Sequence, residues 1–181
     1  LNQIQFTLKL CTNFHSLDLK DTTVFIVSSP VPFSIFPVIF YAKIWNKKVI
    51  FEIRDLWPLA LQQVLKLSKW HPYIFILQKT ERFGYRNSDH IVSVKPGDFE
   101  YILDRYNITK DKFTYIPNGI DISIKPIKVL PLEIKKKIPE NKFIVGYTGS
   151  LSKVYGIIYL LKAAKKLMSK EIHFIIIGSG P

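Results

Sequence analysis

Short apolar runs alternate with helical stretches along most of this chain, and that alternation restricts the fold more than any other feature. Thr23–Val27, Val49–Ile53, His90–Val94, Phe113–Ile116, Phe143–Tyr147 and His173–Ile177 are apolar at most positions and bounded by Gly, Pro, Asn or Asp. Runs of this length and composition read as strands. Continuous apolar strands separated by helices predict an α/β fold, a parallel sheet covered by helices on both faces.

The stretches between them carry helix signals. Phe33–Trp45 reads as a buried helix. Pro72 suits the first turn of a helix that runs to Arg86 and stops at Asn87. Asp98 is placed to cap a short helix ending near Asn107. In 157–169, Ile157, Leu160, Leu161, Ala164, Leu167 and Met168 share one face, with Lys162, Lys165, Lys166 and Lys170 mostly off it. Residues 122–141 (ISIKPIKVLPLEIKKKIPEN) break the alternation. Their prolines and lysines keep no period and read as a linker. The expected organisation is therefore a domain over 1–121, a linker over 122–141 and a βαβ unit over 142–181. That last unit is too small to bury a core unaided. The chain opens on Leu1 and closes on Gly178-Ser179-Gly180-Pro181. It reads as a piece of a longer protein, open at both ends.

Composition is globular: 48% of the 181 residues are apolar and 22% charged. The single cysteine excludes an internal disulfide framework and any cysteine-based zinc site, and suits a reducing compartment. The four histidines are scattered without ligand spacing, so no metal site is expected. Lys and Arg total 26 against 14 Asp and Glu, a net charge of +12, with the steepest excess after residue 122. Such a field attracts phosphorylated ligands, anionic lipid or nucleic acid, or simply solvates helix faces. The cations are not interleaved with aromatics as in nucleic-acid modules, and no nucleic-acid partner is expected. From Thr22 to Ala42 the chain is uncharged. The length would suit a membrane span, but Pro30, Pro32 and Pro37 favour a strand, a turn and a buried helix. Ala60–Trp70 (ALQQVLKLSKW) reads either as a helix on the core or as a basic amphipathic helix on a membrane surface.

Four segments at strand ends are candidates for chemistry, because ligands of open α/β sheets bind beyond the carboxyl ends of strands. In Arg54-Asp55-Leu56-Trp57-Pro58, Asp55 can take a proton from a hydroxyl and Arg54 can hold a phosphate. The bland alternative is an Arg54–Asp55 pair bracing a loop, with Trp57 in the core. In Pro117-Asn118-Gly119-Ile120-Asp121, Asn-Gly predicts a tight turn at positive φ. In Gly146-Tyr147-Thr148-Gly149-Ser150 the glycines allow a phosphate to approach backbone amides, with Lys153 as a nearby cation. Gly178-Ser179-Gly180 takes the equivalent place one strand along. Two glycine loops at neighbouring strand ends suggest a diphosphate site. His90 and Glu81 read as structural.

Taken in order, SSP, FEIRDLWP, ERFGYRNSDHIVSVKPG, YIPNGID, FIVGYTGSLSKVYGIIYLLKAA and FIIIGSGP resemble glycosyltransferase family 4 of the GT-B fold. The wording is nearest to bacterial members that build capsule, O-antigen and colanic-acid-type polysaccharides. The resemblance covers the chain from about Asp21 onward. It implies a Rossmann-like acceptor-side domain over 1–121, lacking its first strands, and the beginning of a donor-binding domain over 142–181. It implies metal-independent, retaining transfer of a sugar from a nucleotide-sugar donor to a saccharide or lipid-linked acceptor, without a cofactor. A cytoplasmic protein lying on the inner-membrane surface is expected.

By the same resemblance Asp55 and Arg54 are acceptor-side catalytic candidates. Gly149, Ser150, Lys153, Gly178 and Gly180 face the donor diphosphate, and Asn118, Gly119 and Asp121 form the interdomain turn. The chain departs from the family in several places. Arg54 stands where many members have His, Leu59 follows RDLWP where relatives often have Glu, and Ser150 replaces an Arg. The family's N-terminal glycine-rich loop and its two-glutamate donor motif are not in this sequence, so the chain alone is expected to be inactive. The competing readings are a GT-B nucleotide-sugar epimerase and a non-catalytic remnant that binds a membrane or partner through its basic surface.

Overall fold

The computed structural model describes residues 2–29, 31–123, 130–152, 155–167 and 171–180. Its elements run α1 (Asn2–Asn13), β1 (Val24–Ser28), α2 (Ile35–Ile44), β2 (Lys48–Ile53), α3 (Leu59–Leu65), α4 (Pro72–Asn87), β3 (His90–Ser93), α5 (Asp98–Tyr106), β4 (Phe113–Tyr115), α6 (Leu132–Lys135), β5 (Phe143–Thr148), α7 (Ile157–Lys166) and β6 (Ile172–Ile177). The chain divides into two compact units, Leu1–Ile120 and Asp121–Pro181.

In the first unit β1, β2, β3 and β4 lie side by side in chain order and all pair in parallel. The register sets Ser28 against Glu52 and Ile53 against Ser93. Strand ends that carry polar residues are thereby brought level. Burial alternates along β2, where Val49, Phe51 and Ile53 are buried and Ile50 and Glu52 only partly so. β3 repeats the pattern, with Ile91 and Ser93 buried.

The buried face carries the core, which joins Val27, Ile35, Ile39, Phe51, Tyr85 and Ile102 among others. The other face is half-exposed, and Ile26 on edge strand β1 is 68% exposed. This corrects the expectation of a sheet covered on both faces. Chain-order strands joined by right-handed crossovers put their connecting helices on one side only.

α2 is held by its apolar inner side, where Ile35, Val38, Ile39 and Ala42 are buried. α4 approaches β2 closely because Gly84 has no side chain: a Cβ there would lie 2.6 Å from the Phe51 ring. α1 was not anticipated. It is anchored by Phe14, the residue that follows it, whose ring stacks on Tyr41 at 4.4 Å, while the Tyr41 hydroxyl donates to the Cys11 carbonyl of α1 at 2.9 Å.

α3 is shorter than the Ala60–Trp70 pattern suggested. It ends at Leu65, with Lys66 in the left-handed region at φ 52°, and none of its residues is buried. Gly97, not Asp98, is the N-cap of α5. Among the described residues no helix is long and apolar enough to cross a membrane.

In the second unit β5 and β6 pair in parallel from Phe143↔Ile172 to Thr148↔Ile177. α7 begins after Gly156, in the left-handed conformation at φ 69°, and is described to Leu167. No described residue of this unit is fully buried. The stretch read as a linker contains the short helix α6. Its residues 124–129 lie outside the described set.

Candidate functional site

Three strand ends of the first unit converge on a polar cluster. Ser29 follows β1, Arg54 and Asp55 follow β2, and Lys95 lies two residues beyond β3. The Ile53↔Ser93 register places Asp55 and Lys95 level, and Lys95 Nζ meets Asp55 Oδ1 at 2.8 Å. Both side chains are about half exposed, 52% for Lys95 and 54% for Asp55. A ligand can reach the pair, and the pair contributes little stability.

Ser29 is buried and fixes the loop. Its hydroxyl oxygen accepts from the Arg54 amide at 2.9 Å and the Asp55 amide at 3.2 Å, and its hydroxyl donates to the Asp55 carbonyl at 3.2 Å. One side chain thus satisfies the backbone of the turn that presents Asp55. The neighbouring Ser28 hydroxyl donates to a Glu52 carboxylate oxygen.

The Arg54–Asp55 brace considered from sequence is not formed: Asp55 pairs with Lys95. The exposed Arg54 side chain makes no hydrogen bond or ion pair among the described residues. Trp57 is half-buried, and its buried Nε1 has no hydrogen-bond partner among the described residues.

Beneath this loop lies a narrow cavity of about 10 Å³, lined by Ser29, Asp55, Trp57, Thr80 and Glu81 among others. Glu81, on α4, is 5% exposed. It accepts from the Tyr85 hydroxyl at 2.8 Å and from the Tyr106 hydroxyl. Burial pushes its carboxyl up to about 7, against the opposing pull of the Tyr106 and Tyr85 hydrogen bonds. The same burial and the Glu81 charge raise both tyrosines.

β3 ends in a comparable device. The Ser93 hydroxyl donates to Asp98 Oδ2 at 2.5 Å, and its oxygen accepts from the Lys95 amide at 3.2 Å. Lys95 is therefore presented by a serine, as Asp55 is. The sequence reading missed Ser29 and Lys95 as site residues. The signal was available in the parallel register, which aligns the residue two past one strand with the residue two past its neighbour.

The Asn118-Gly119 turn takes another form. Neither residue adopts positive φ. The turn is made instead at Asp121, whose Oδ1 accepts from the Ser123 amide at 2.8 Å and hydroxyl at 2.6 Å. His90 meets the Thr114 hydroxyl through Nε2 at 2.8 Å.

In the second unit the two glycine loops are adjacent and continue the β5–β6 ladder. The Gly149 amide donates to the Ile177 carbonyl at 3.1 Å and the Leu151 amide to the Ser179 carbonyl at 2.9 Å. A Cβ on Gly178 would lie 1.9 Å from the Gly149 carbonyl oxygen, and one on Gly180 would lie 2.2 Å from that of Leu151. Both glycines are thus required by close backbone approach. Gly149, at φ 154°, suits a residue without a side chain. The Ser150 carbonyl accepts from the Tyr147 hydroxyl at 2.9 Å. Gly149, Ser150, Gly178, Ser179 and Gly180 are all exposed. Lys153 lies outside the described residues. Among the described residues no group of His, Cys, Asp and Glu could hold a metal ion.

The protein that bears the name "Putative colanic acid biosynthesis glycosyl transferase WcaI", of Escherichia coli (strain K12), is 23% identical over 104 residues, which are 55% of this chain and 25% of that protein. The chain therefore matches about a quarter of that relative's length. A solved glycosyltransferase from Rickettsia africae ESF-5 aligns with a TM-score of 0.44 at 14% identity, over 86% of this chain and 59% of that one. The model of Glycosyltransferase Family 4 matches residues 13–124, more than half of the chain and the whole of the β1–β4 sheet. The chain belongs to Glycosyltransferase Family 4.

Proposed function

We propose that this chain is part of an enzyme that moves a sugar from a nucleotide-sugar donor to a saccharide or lipid-linked acceptor. The observation that supports it most is the cluster at the sheet's carboxyl end, inside the segment that matches the family. Asp55 is held there by Ser29 and flanked by Lys95. The acceptor hydroxyl oxygen bonds to the anomeric carbon on the same face from which the donor phosphate departs, as the bond from that carbon to the phosphate breaks. The electron pair leaves on the diphosphate, and Asp55 takes the hydroxyl proton. Arg54 or Lys95 offers a positive charge to a phosphate on the acceptor side. The exposed loops at Gly149–Ser150 and Gly178–Gly180 offer the donor diphosphate the backbone amides that the β5–β6 ladder leaves free, among them that of Ser150. On this reading transfer retains the donor's anomeric configuration and needs no metal or cofactor. The protein works at the cytoplasmic face of the inner membrane.

The test is a titration of uridine and guanosine diphosphates into the isotope-labelled chain, followed by amide shifts. Perturbation centred on Gly149, Ser150, Gly178 and Gly180 is expected. Shifts confined to other residues, or none at millimolar nucleotide, would sink the donor-side assignment. Transfer itself is assayed on the full polypeptide to which this segment belongs. Loss of at least about a hundredfold in kcat is expected for Asp55→Asn, with the product anomer read by NMR. An inverted anomer overturns retention.

A further inference from the structure

The loop that presents Asp55 is braced on one side by Ser29 and has one polar group left over. The Trp57 indole Nε1 is buried and finds no hydrogen-bond partner among the described residues. A buried donor in that state costs free energy that a nearby acceptor would recover. Trp57 lines the narrow cavity beneath the loop, together with Ser29, Asp55, Thr80 and Glu81. The cavity measures about 10 Å³, too small for a side chain and close to the room that one water needs, on the order of 10–15 Å³.

A count of hydrogen bonds identifies the acceptors. The Ser29 hydroxyl is saturated, because it donates to the Asp55 carbonyl and accepts from the amides of Arg54 and Asp55. The Asp55 carboxylate is paired with Lys95 and half in solvent. The Thr80 hydroxyl donates to the Ile76 carbonyl at 3.0 Å, so it has only lone pairs left. Glu81 accepts from Tyr85 through Oε1 and from Tyr106 through Oε2, which leaves each carboxylate oxygen able to accept once more. Among the described lining residues there is thus one unpaired donor, Trp57, and spare acceptors on Thr80 and Glu81. One water matches that set. It accepts from the indole and donates to Thr80 and Glu81, within the two to four partners that an internal water takes.

We propose that Glu81 is a positioning residue for the Asp55 loop, taking up the Trp57 indole N–H through one buried water and so holding the loop from beneath. Ser29 fixes the backbone at Arg54 and Asp55, and this bridge fixes the loop two residues farther on. The proposal rests on the reading of Asp55 as the base for what the loop accomplishes, and on the cavity for how the loop is held.

The bridge depends on whether Glu81 carries a proton. As a carboxylate it only accepts from the water. As an acid it also donates, and the water must turn. The groups that face Glu81 are Tyr85 on its own helix and Tyr106, Arg105 and Asp98 on α5, with Asp55 also lining the cavity. Burial outweighs the pull of the two tyrosines and Arg105, so the carboxyl changes state at about 7. Among the described residues no histidine lines the cavity. The loop is therefore tied more firmly above neutrality than below it.

The test is nuclear magnetic resonance on the nitrogen-labelled 181-residue chain across about pH 5 to 9, with the Trp57 indole signal identified by its loss in Trp57→Phe. The indole proton is expected to exchange slowly with solvent and to shift with a midpoint of about 7. The Arg54 and Asp55 amides are expected to follow it. Glu81→Gln keeps an acceptor oxygen but cannot ionise, so the indole signal should persist and lose its pH dependence. The Glu81 carboxyl itself, read by carbon detection, should titrate about one pH unit higher in Trp57→Phe, because the charged form loses a donor. That comparison needs no change at Glu81, and so it decides the matter even where Glu81→Gln fails to fold.

A Trp57 indole that exchanges freely, that does not move through neutrality, or that moves equally in Glu81→Gln overturns the proposal. So does a Glu81 midpoint unchanged in Trp57→Phe. An indole coupled to Glu81, in a full polypeptide whose Asp55→Asn variant keeps its activity, removes the base and leaves the loop support standing. An uncoupled indole with Asp55→Asn inactive removes the loop support alone.

Discussion

Glu81 is the residue whose surroundings make the clearest prediction. Its carboxyl sits at about 7 in the folded chain against an ordinary 4.5. Between those values the folded state keeps a proton that the unfolded chain has lost. Stability therefore falls as pH rises through that window, by about 3 kcal/mol in all, and levels off above about pH 7. Urea unfolding at a series of pH values should show this decline, and Glu81→Gln should flatten it. A decline of equal size in Glu81→Gln would assign the effect to other groups. A second residue-scale prediction concerns Ser29, whose hydroxyl serves both amides that precede and carry Asp55. Ser29→Ala leaves buried polar groups unpaired, at a cost of about 1–3 kcal/mol. In the full polypeptide it should lower kcat with little change in donor KM. A change in donor KM alone would mean that Ser29 does not position Asp55.

Between elements, the narrowest tolerance is where α4 crosses β2. Gly84→Ala drives a methyl group into the Phe51 ring, which the Tyr85 ring borders at 5.6 Å. A loss of about 1–3 kcal/mol is expected from overpacking. Phe51→Leu should recover part of it, and a double-mutant cycle in urea measures the coupling. Additive losses would show that the helix shifts instead of the ring.

This scale also shows how far the sequence could be read. β1 to β6 all lie within a residue or two of the apolar runs that announced them, because a short apolar run bounded by turn residues reads as a strand whether or not its side chains end fully buried. α3 failed for a local reason. Lys66 in the left-handed region ends a helix that the apolar spacing through Leu67 would have continued. Asn118-Gly119 failed because a dipeptide that permits positive φ does not require it, and Asp121 supplied the turn through its side chain. The Asp55–Lys95 pair was hidden because its partners are 40 residues apart. Only register brings them together.

For the molecule as a whole, the two units differ in kind. Leu1–Ile120 has a core of fully buried Ile, Phe and Tyr, while no described residue of Asp121–Pro181 is buried. A unit of that size with no buried side chain among its described residues opens at little cost. Hydrogen exchange should find protected amides in β2, β3 and α4 and rapid exchange in β5 and β6, and limited proteolysis should leave a fragment close to Leu1–Ile120. Equal protection in both units would refute this division of stability.

The contact between the glycine loops has a consequence for how such a protein can change over generations. With the Gly149 and Leu151 carbonyls filling the space where side chains at 178 and 180 would stand, neither Gly178 nor Gly180 can gain a methyl group unless the facing loop moves. The two must drift as a pair, and an insertion in one survives only beside a matching change in the other. Length variation among descendants of this sequence should therefore accumulate in the stretch around α6, where no ladder is kept, and be purged between Thr148 and Leu151.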